Sequence, residues 1–212
     1  TYKAILKISE EVMEVSDFTG FEEMMDGRVK TLHPKIHAGI LARRDSDMKV
    51  LQERGYEPID LVIVNLYPFQ ETVASECTFE EAIENIDIGG PTMIRAAAKN
   101  FKDVVVVSNP EDYDQLFDEW ANKDGISLET RKIFAQKVFK TMANYNDAIA
   151  KYMMGDSPSM MPDYKFDSST NLRYGENPHQ SASLLIFSNS NQKNIANAEI
   201  IQGKELSYNN IV

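Results

Sequence analysis

Cysteine is almost absent: Cys77 is the single thiol in 212 residues. That excludes an internal disulfide framework and favours a reducing, cytoplasmic setting. With no histidine near it in sequence, Cys77 reads as a small structural thiol. No apolar run approaches the roughly 20 residues that a membrane-spanning helix needs. The opening T-Y-K-A-I-L-K-I-S-E-E lacks both the apolar core and the small-residue cleavage site of a secretory leader. It also lacks an initiator Met and enters mid-pattern, which suggests a fragment. Internal repeats are missing. Positive charge is in short supply, with 22 Lys and Arg against 33 Asp and Glu and a net charge of −11. Such a balance argues against a nucleic acid or an anionic membrane as partner.

What is there is enough to fold. Hydrophobic residues make up 42% and charged residues 26%, the proportions of a core-forming globular chain. The length allows one large domain, or one domain and part of another. One segment reverses the overall charge. Between Gly27 and Arg44 stand Arg28, Lys30, Lys35, Arg43 and Arg44 with no carboxylate among them. An acidic protein that gathers its cations in one place points to a small anionic ligand there.

Along the chain, residues 2–9 read as the tail of a helix and Val12–Val15 as a short apolar strand. Ser16, Asp17 and Gly20 read as turn formers. A polar helix over Asp47–Gly55 is closed by its glycine. I-D-L-V-I-V-N, ending at Asn65, and Val104–Val107 are continuous apolar runs of strand length, the kind that a parallel sheet buries between helices. Thr78 and Glu81 form a capping box for a helix to about Asn85. Asn109-Pro110-Glu111-Asp112 starts a helix that reaches about Asn122, and Gly125 breaks the chain. Leu128–Met154 is one long helix with a stripe of Phe134, Val138, Met142, Tyr145, Ile149 and Tyr152. Helices alternating with short apolar strands predict an open α/β sheet. Residues 155–170, with two prolines and many polar side chains, read as a linker. The remainder, 171–212, reads as the beginning of a second domain, with S-L-L-I-F as a strand.

Four stretches carry candidate chemistry. In N-I-D-I-G-G-P-T-M-I-R-A-A-A-K-N (Asn85–Asn100), Asp87 precedes a Gly89-Gly90 turn that side chains with a Cβ would resist. Pro91 fits a first helical position. Free N–H groups at that helix start make an anion site, and Arg95 and Lys99 share one helix face. The alternative is an ordinary loop and helix with solvated charges. In Gly27–His37, an extended chain would put Arg28 and Lys30 on one side and Val29 and Thr31 on the other, suiting a phosphate or carboxylate; the alternative is an exposed edge strand. His33 and His37, four apart, invite a zinc reading. It is rejected because Pro34 opposes a helix there and no third ligand is near. Asn65-Leu66-Tyr67-Pro68-Phe69 follows the carboxyl end of a strand, where open α/β sheets bind ligands; an aromatic loop packed on the sheet is the rival. Arg173-Tyr174-Gly175-Glu176-Asn177-Pro178-His179-Gln180 taken alone fits any surface turn.

Together these four motifs, in this order, resemble the bifunctional purine biosynthesis family, in which a phosphoribosylaminoimidazolecarboxamide formyltransferase is fused to an IMP cyclohydrolase. The resemblance implies a methylglyoxal-synthase-like domain for 1–154, an open, mostly parallel sheet flanked by helices. It implies that 171–212 begins a cytidine-deaminase-like formyltransferase domain. By the same resemblance Lys99 matches a catalytic lysine and Asp87 the carboxylate beside the reacting carboxamide. Lys30 and Tyr67 match positions around the formyl group. Arg28, Val29, Lys30, Thr31, Val64, Asn65, Asp87, Ile88, Gly89 and Gly90 match nucleotide-contacting positions, and Arg173 and Tyr174 match residues that hold the aminoimidazole ribonucleotide. The implied ligands are a purine-precursor ribonucleotide and, for the formyltransferase, 10-formyltetrahydrofolate. No metal and no cofactor is expected for the cyclohydrolase, and a homodimer is implied. The family's phosphate-binding loops precede Thr1, and its folate site lies beyond Val212, so weak or no turnover is expected of this fragment. The rivals are a methylglyoxal-synthase-type lyase or allosteric domain of the same architecture, and a non-catalytic domain that mainly dimerises through the long helix.

Overall fold

A computed structural model describes residues 1–75, 77–122, 125–155, 166–187, 195, 198 and 201–211. The chain divides into two compact units, Thr1–Gly155 and Asp156–Val212.

The first unit is built on two parallel strands, β1 (Leu61–Ile63) and β2 (Val105–Val107), paired Leu61 to Val105, Val62 to Val106 and Ile63 to Val107. Parallel neighbours require a long crossover, and the chain between them supplies three helices: α5 (Phe69–Ala74), α6 (Phe79–Glu84) and α7 (Gly89–Lys99). Before β1 come α1 (Tyr2–Ile5), α2 (Val15–Thr19), α3 (Pro34–Leu41) and α4 (Met48–Glu53). After β2, a 3-10 turn at Pro110–Asp112 leads into α8 (Tyr113–Asn122), and α9 (Leu128–Met154) closes the unit. Helix α7 packs on both strands, on α3 and on α9. Its three alanines, Ala96 to Ala98, are buried and bring its backbone close to those neighbours. Val104, Val106, Ile94, Leu116, Phe134 and Val138 form the centre of the core.

Several local signals act as they read. Thr78 Oγ1 accepts the Glu81 N–H at 3.2 Å while the Glu81 carboxylate takes the Thr78 N–H at 2.8 Å, so α6 opens with a full capping box. Gly55, at φ +64°, ends α4; its N–H reaches Gln52 O at 3.0 Å and the Tyr56 N–H reaches Leu51 O at 2.9 Å, a Schellman closure. Helix α9 spans the residues its stripe predicts, with Phe134, Val138 and Met142 buried.

Other expectations fail. Val12–Val15 is not a strand: among the described residues none pairs with it, and Val15–Thr19 coils instead into α2, where Thr19 Oγ1 donates to Val15 O at 2.8 Å. Ser16 and Asp17 belong to that helix and Gly20 (φ +70°) is its left-handed stop. Pro34 does not oppose a helix but starts one, α3, from the first position, where its missing N–H has no partner to lose. Helix α7 begins at Gly89, two residues before Pro91.

In the second unit, β3 (Phe166–Asn171) pairs antiparallel with β4 (Ser183–Phe187), and a 3-10 turn covers Tyr208–Asn210. Of the expected linker, 156–165 lie outside the described residues, and 166–170 are strand. Their polar sequence F-D-S-S-T is held extended by pairing to S-L-L-I-F, a partner that local composition does not reveal. No described helix is long and apolar enough to cross a membrane.

Candidate active site

The loops that leave the carboxyl end of β1 and enter α7 meet at Asp87. Its Oδ1 accepts the Gly90 N–H at 2.9 Å, and its own N–H donates to Tyr145 Oη on α9 at 2.8 Å. A Cβ placed on Gly90 would run into the Asp87 carboxylate and meet Val64 Cγ1 at 3.1 Å; one placed on Gly89 would run into Thr31 Oγ1. Neither glycine has a positive φ. They are helical residues whose missing side chains let Thr31, Val64 and Asp87 close on the start of α7. The helix start is therefore capped in part by Asp87 itself, which takes one of the N–H groups that an anion would use.

The cationic segment reaches the same edge as a tight hairpin. Met24 and Val29 exchange backbone hydrogen bonds at 3.0 and 3.2 Å, with Met25, Asp26 and Gly27 all at positive φ. The cations at its end are paired. Arg28 donates to both carboxylate oxygens of Glu84 on α6, a contact that raises its pKa. Lys30 Nζ lies 2.8 Å from Glu23 and 3.6 Å from Glu14, and the Glu23 hydrogen bond is the main cause of its raised pKa. Both side chains remain substantially exposed. An incoming anion would exchange with carboxylates already there.

Asn65, just past β1, meets the Tyr113 hydroxyl at 3.3 Å. Tyr67 is 59% exposed, whereas Phe69 two residues on is buried and anchors that loop. Ile88 is exposed beside Asp87. His33 caps α3 by accepting the Lys35 N–H on Nδ1 at 3.1 Å, and His37 Nδ1 lies 3.2 Å from His33 O. Among the described residues no group of three His, Cys, Asp or Glu is placed to hold a metal ion.

Lys99 is elsewhere. It ends α7, whose start lies beside Asp87. Ten residues of rise at 1.5 Å put the two ends about 15 Å apart. The neighbouring Asn100 is buried and donates to Ile40 O at 2.9 Å and Ala42 O at 3.0 Å, which ties that end of α7 to the end of α3. Thr31, Val64, Asp87, Gly89 and Gly90 thus converge, with Asn65, Tyr67 and Lys30 on the loops around them. Within one chain Lys99 does not join them. Two residues not expected at the site are Tyr113 and Tyr145. Tyr145 sits in the apolar stripe of α9, and nothing in its spacing distinguishes it from core.

In the second unit, the Arg173 guanidinium lies over the Tyr174 ring at 5.3 Å. The Arg173 N–H bonds Leu206 O at 3.0 Å, and the Tyr208 N–H bonds Tyr174 O at 3.2 Å. The Gly175 N–H bonds Gln180 O at 2.7 Å, which closes the turn. An open cleft of about 590 Å³ is lined by Glu176, His179, Gln180 and Tyr208 among others.

Residues 97–212 match the family described as AICARFT/IMPCHase bienzyme, and residues 1–92 match an MGS-like domain. The chain belongs to the AICARFT/IMPCHase bienzyme family. A relative in this family, the bifunctional purine biosynthesis protein PurH of Clostridium botulinum (strain Eklund 17B / Type B), is 52% identical over 216 residues, covering 99% of this chain. The chain spans 42% of that relative's length. A solved structure titled "Crystal structure of ForH" is 35% identical with a TM-score of 0.60, over 70% of this chain and 80% of that one. The fold is the mixed α/β arrangement expected of this family, with its parallel strands covered by helices.

Proposed function

We propose that the first unit, extending to about residue 154, is the IMP cyclohydrolase domain of a bifunctional purine-biosynthesis protein, and that 171–212 begins its formyltransferase domain. The substrate of the first is 5-formamidoimidazole-4-carboxamide ribonucleotide. The observation that carries this reading is the convergence of Asp87, Thr31 and Val64 on the glycine start of α7, at the carboxyl end of the parallel strands. That is where open α/β sheets bind small ligands.

In ring closure the carboxamide nitrogen forms a bond to the formyl carbon and gives up a proton. The formyl oxygen takes up that proton and becomes a hydroxyl; it then takes up a second proton, the C–O bond breaks to release water, and the formamide nitrogen gives up its own proton as it forms a C=N bond to the same carbon. Asp87 accepts a hydrogen bond from the carboxamide N–H₂ and aligns it as nucleophile, its own position set by Gly90. Lys30, held protonated by its carboxylate neighbours, turns to the developing oxyanion when substrate displaces them. Tyr67 places or relays the proton as water departs. Arg28, Val29, Thr31, Asn65 and Ile88 line the nucleotide. Written this way the step balances without a metal or cofactor. Lys99 does not act on Asp87 of its own chain. Arg173 and Tyr174 serve the other reaction, formylation of the aminoimidazole ribonucleotide by 10-formyltetrahydrofolate. The protein acts in the cytoplasm as a homodimer.

The test is ultraviolet absorbance of IMP formation by a full-length protein carrying this chain. Asp87→Asn is expected to lower kcat by about 100-fold or more. A variant that cyclises at the parent rate overturns the reading.

A further inference from the structure

Tyr145 lies 58 residues along the chain from Asp87, on a different element, yet it holds two of the loops that make the site. Its hydroxyl oxygen accepts the Asp87 N–H at 2.8 Å. Its ring meets Phe69 edge-on, with centroids 6.3 Å apart and planes at 70°. Phe69 is 1% exposed, and its N–H bonds Tyr67 O at 2.8 Å, so its position fixes the turn that carries Tyr67. One half-buried side chain on the core-facing stripe of α9 therefore bridges the Asp87 loop and the Tyr67 loop. Burial holds the phenol above its ordinary pKa, so the hydroxyl keeps its proton at neutral pH. Its oxygen is then a neutral acceptor for the Asp87 amide and adds no charge beside the carboxylate.

We propose that Tyr145 is a positioning residue of the ring-closing site, setting the separation of Asp87 from Tyr67 through its hydroxyl and its ring together. This rests on the cyclohydrolase reading above. Phe69 also meets Tyr152 edge-on at 5.7 Å and the Asp87 carboxylate also holds the Gly90 N–H at 2.9 Å, but Tyr145 touches both loops. Loss of that shared contact changes their mutual geometry, and misplacement near 1 Å is enough to cost a reaction about 100-fold. The nucleotide contacts made by Thr31, Val64 and Asn65 do not pass through Tyr145, so binding should survive when alignment does not.

The experiment measures kcat and KM for IMP formation, and the thermal midpoint, in the full-length protein with Tyr145→Phe, Tyr145→Leu and Asp87→Asn. Tyr145→Phe keeps the ring on Phe69 and removes the acceptor. It is expected to lower kcat about 10-fold with KM within twofold and the thermal midpoint nearly unchanged. Tyr145→Leu removes both contacts and is expected to lower kcat further. A Tyr145→Phe protein with kcat within twofold of the parent, while Asp87→Asn is crippled, overturns the proposal and leaves the site reading standing. Loss of kcat in step with loss of thermal stability also overturns it, since Tyr145 would then serve folding alone. Full activity in Asp87→Asn removes the site reading itself, and the proposal with it.

Discussion

Thr31 Oγ1 stands where a Cβ on Gly89 would be, and the Asp87 carboxylate stands where one on Gly90 would be. This sets stability and activity against each other at one atom. Alanine is a better helix former than glycine by about 1 kcal/mol, and Gly90 already has helical backbone. Gly90→Ala should therefore cost little stability, yet it must push aside the carboxylate that its own N–H now holds. The expected outcome is a thermal midpoint within a few degrees of the parent and a fall in kcat of about 100-fold, read by melting and by the absorbance assay on the same sample. A variant that keeps its rate would mean that the Asp87 carboxylate need not sit over the helix start.

At the scale of elements, α7 decides which residues can cooperate. Asp87 lies two residues before its start and Lys99 is its last residue, and a lysine side chain does not span the length between them. Lys99 instead places a cation in the last turn, where it favours the helix dipole. Lys99→Ala is expected to leave kcat within a few-fold of the parent. A loss as large as that of Asp87→Asn would show that Lys99 acts in the site of a second copy of the chain. Helix α6, which presents Glu84 to Arg28, begins at the Thr78–Glu81 capping box. The Thr78 N–H and hydroxyl hold the Glu81 carboxyl below its ordinary value of 4.5. A lowered folded pKa means that the ionised cap contributes fully above about pH 4.5 and is lost as pH falls through the lower folded value. Glutamine makes the same reach without titrating. The thermal midpoint of the parent relative to Glu81→Gln should therefore drop between pH 5 and about pH 3; a constant difference would exclude a role for the ionised cap.

For the whole molecule, the first unit is held by a core to which α9, packed on β2 and α7, contributes four buried apolar residues, Phe134, Ala135, Val138 and Met142. Phe134 is 1% exposed at its centre. Phe134→Ala is expected to destabilise the chain by about 3–5 kcal/mol in urea unfolding, whereas a change under about 1 kcal/mol would place Phe134 outside the core. The same helix continues past that core to Tyr145, so one element both closes the fold and reaches the site. The net charge of −11 belongs to the surface as a whole, while the cations of the site segment meet Glu14, Glu23 and Glu84. Those carboxylates come from α6, from the hairpin and from the approach to α2. Of the five cations that stand together in the sequence, four are paired with carboxylates in space, and Lys35 donates to Phe18 O.

Much of this was legible in order along the chain, because it depends on neighbours in sequence. The period of α9, the apolar runs of β1 and β2, the capping box of α6 and the glycine stop of α4 are each written in residues close together in sequence, even where the element then packs on a distant partner. The four motifs that mark the family are likewise contiguous stretches. Where sequence reasoning failed, the deciding partner was distant. Residues 166–170 read as linker until β4 supplies hydrogen bonds, and Val12–Val15 read as strand although among the described residues no strand lies beside it. Gly89 and Gly90 stand out in the sequence as a turn, but their backbone is ordinary helix, and it is Thr31 and Asp87 that need the space. Arg95 and Lys99 do share a face, as four residues of helix require. The distance from Lys99 to Asp87, the pairing of Arg28 with Glu84, and the grip of Tyr145 on two loops were decided by packing alone, because each joins groups that only the folded chain brings within a few ångströms or holds apart.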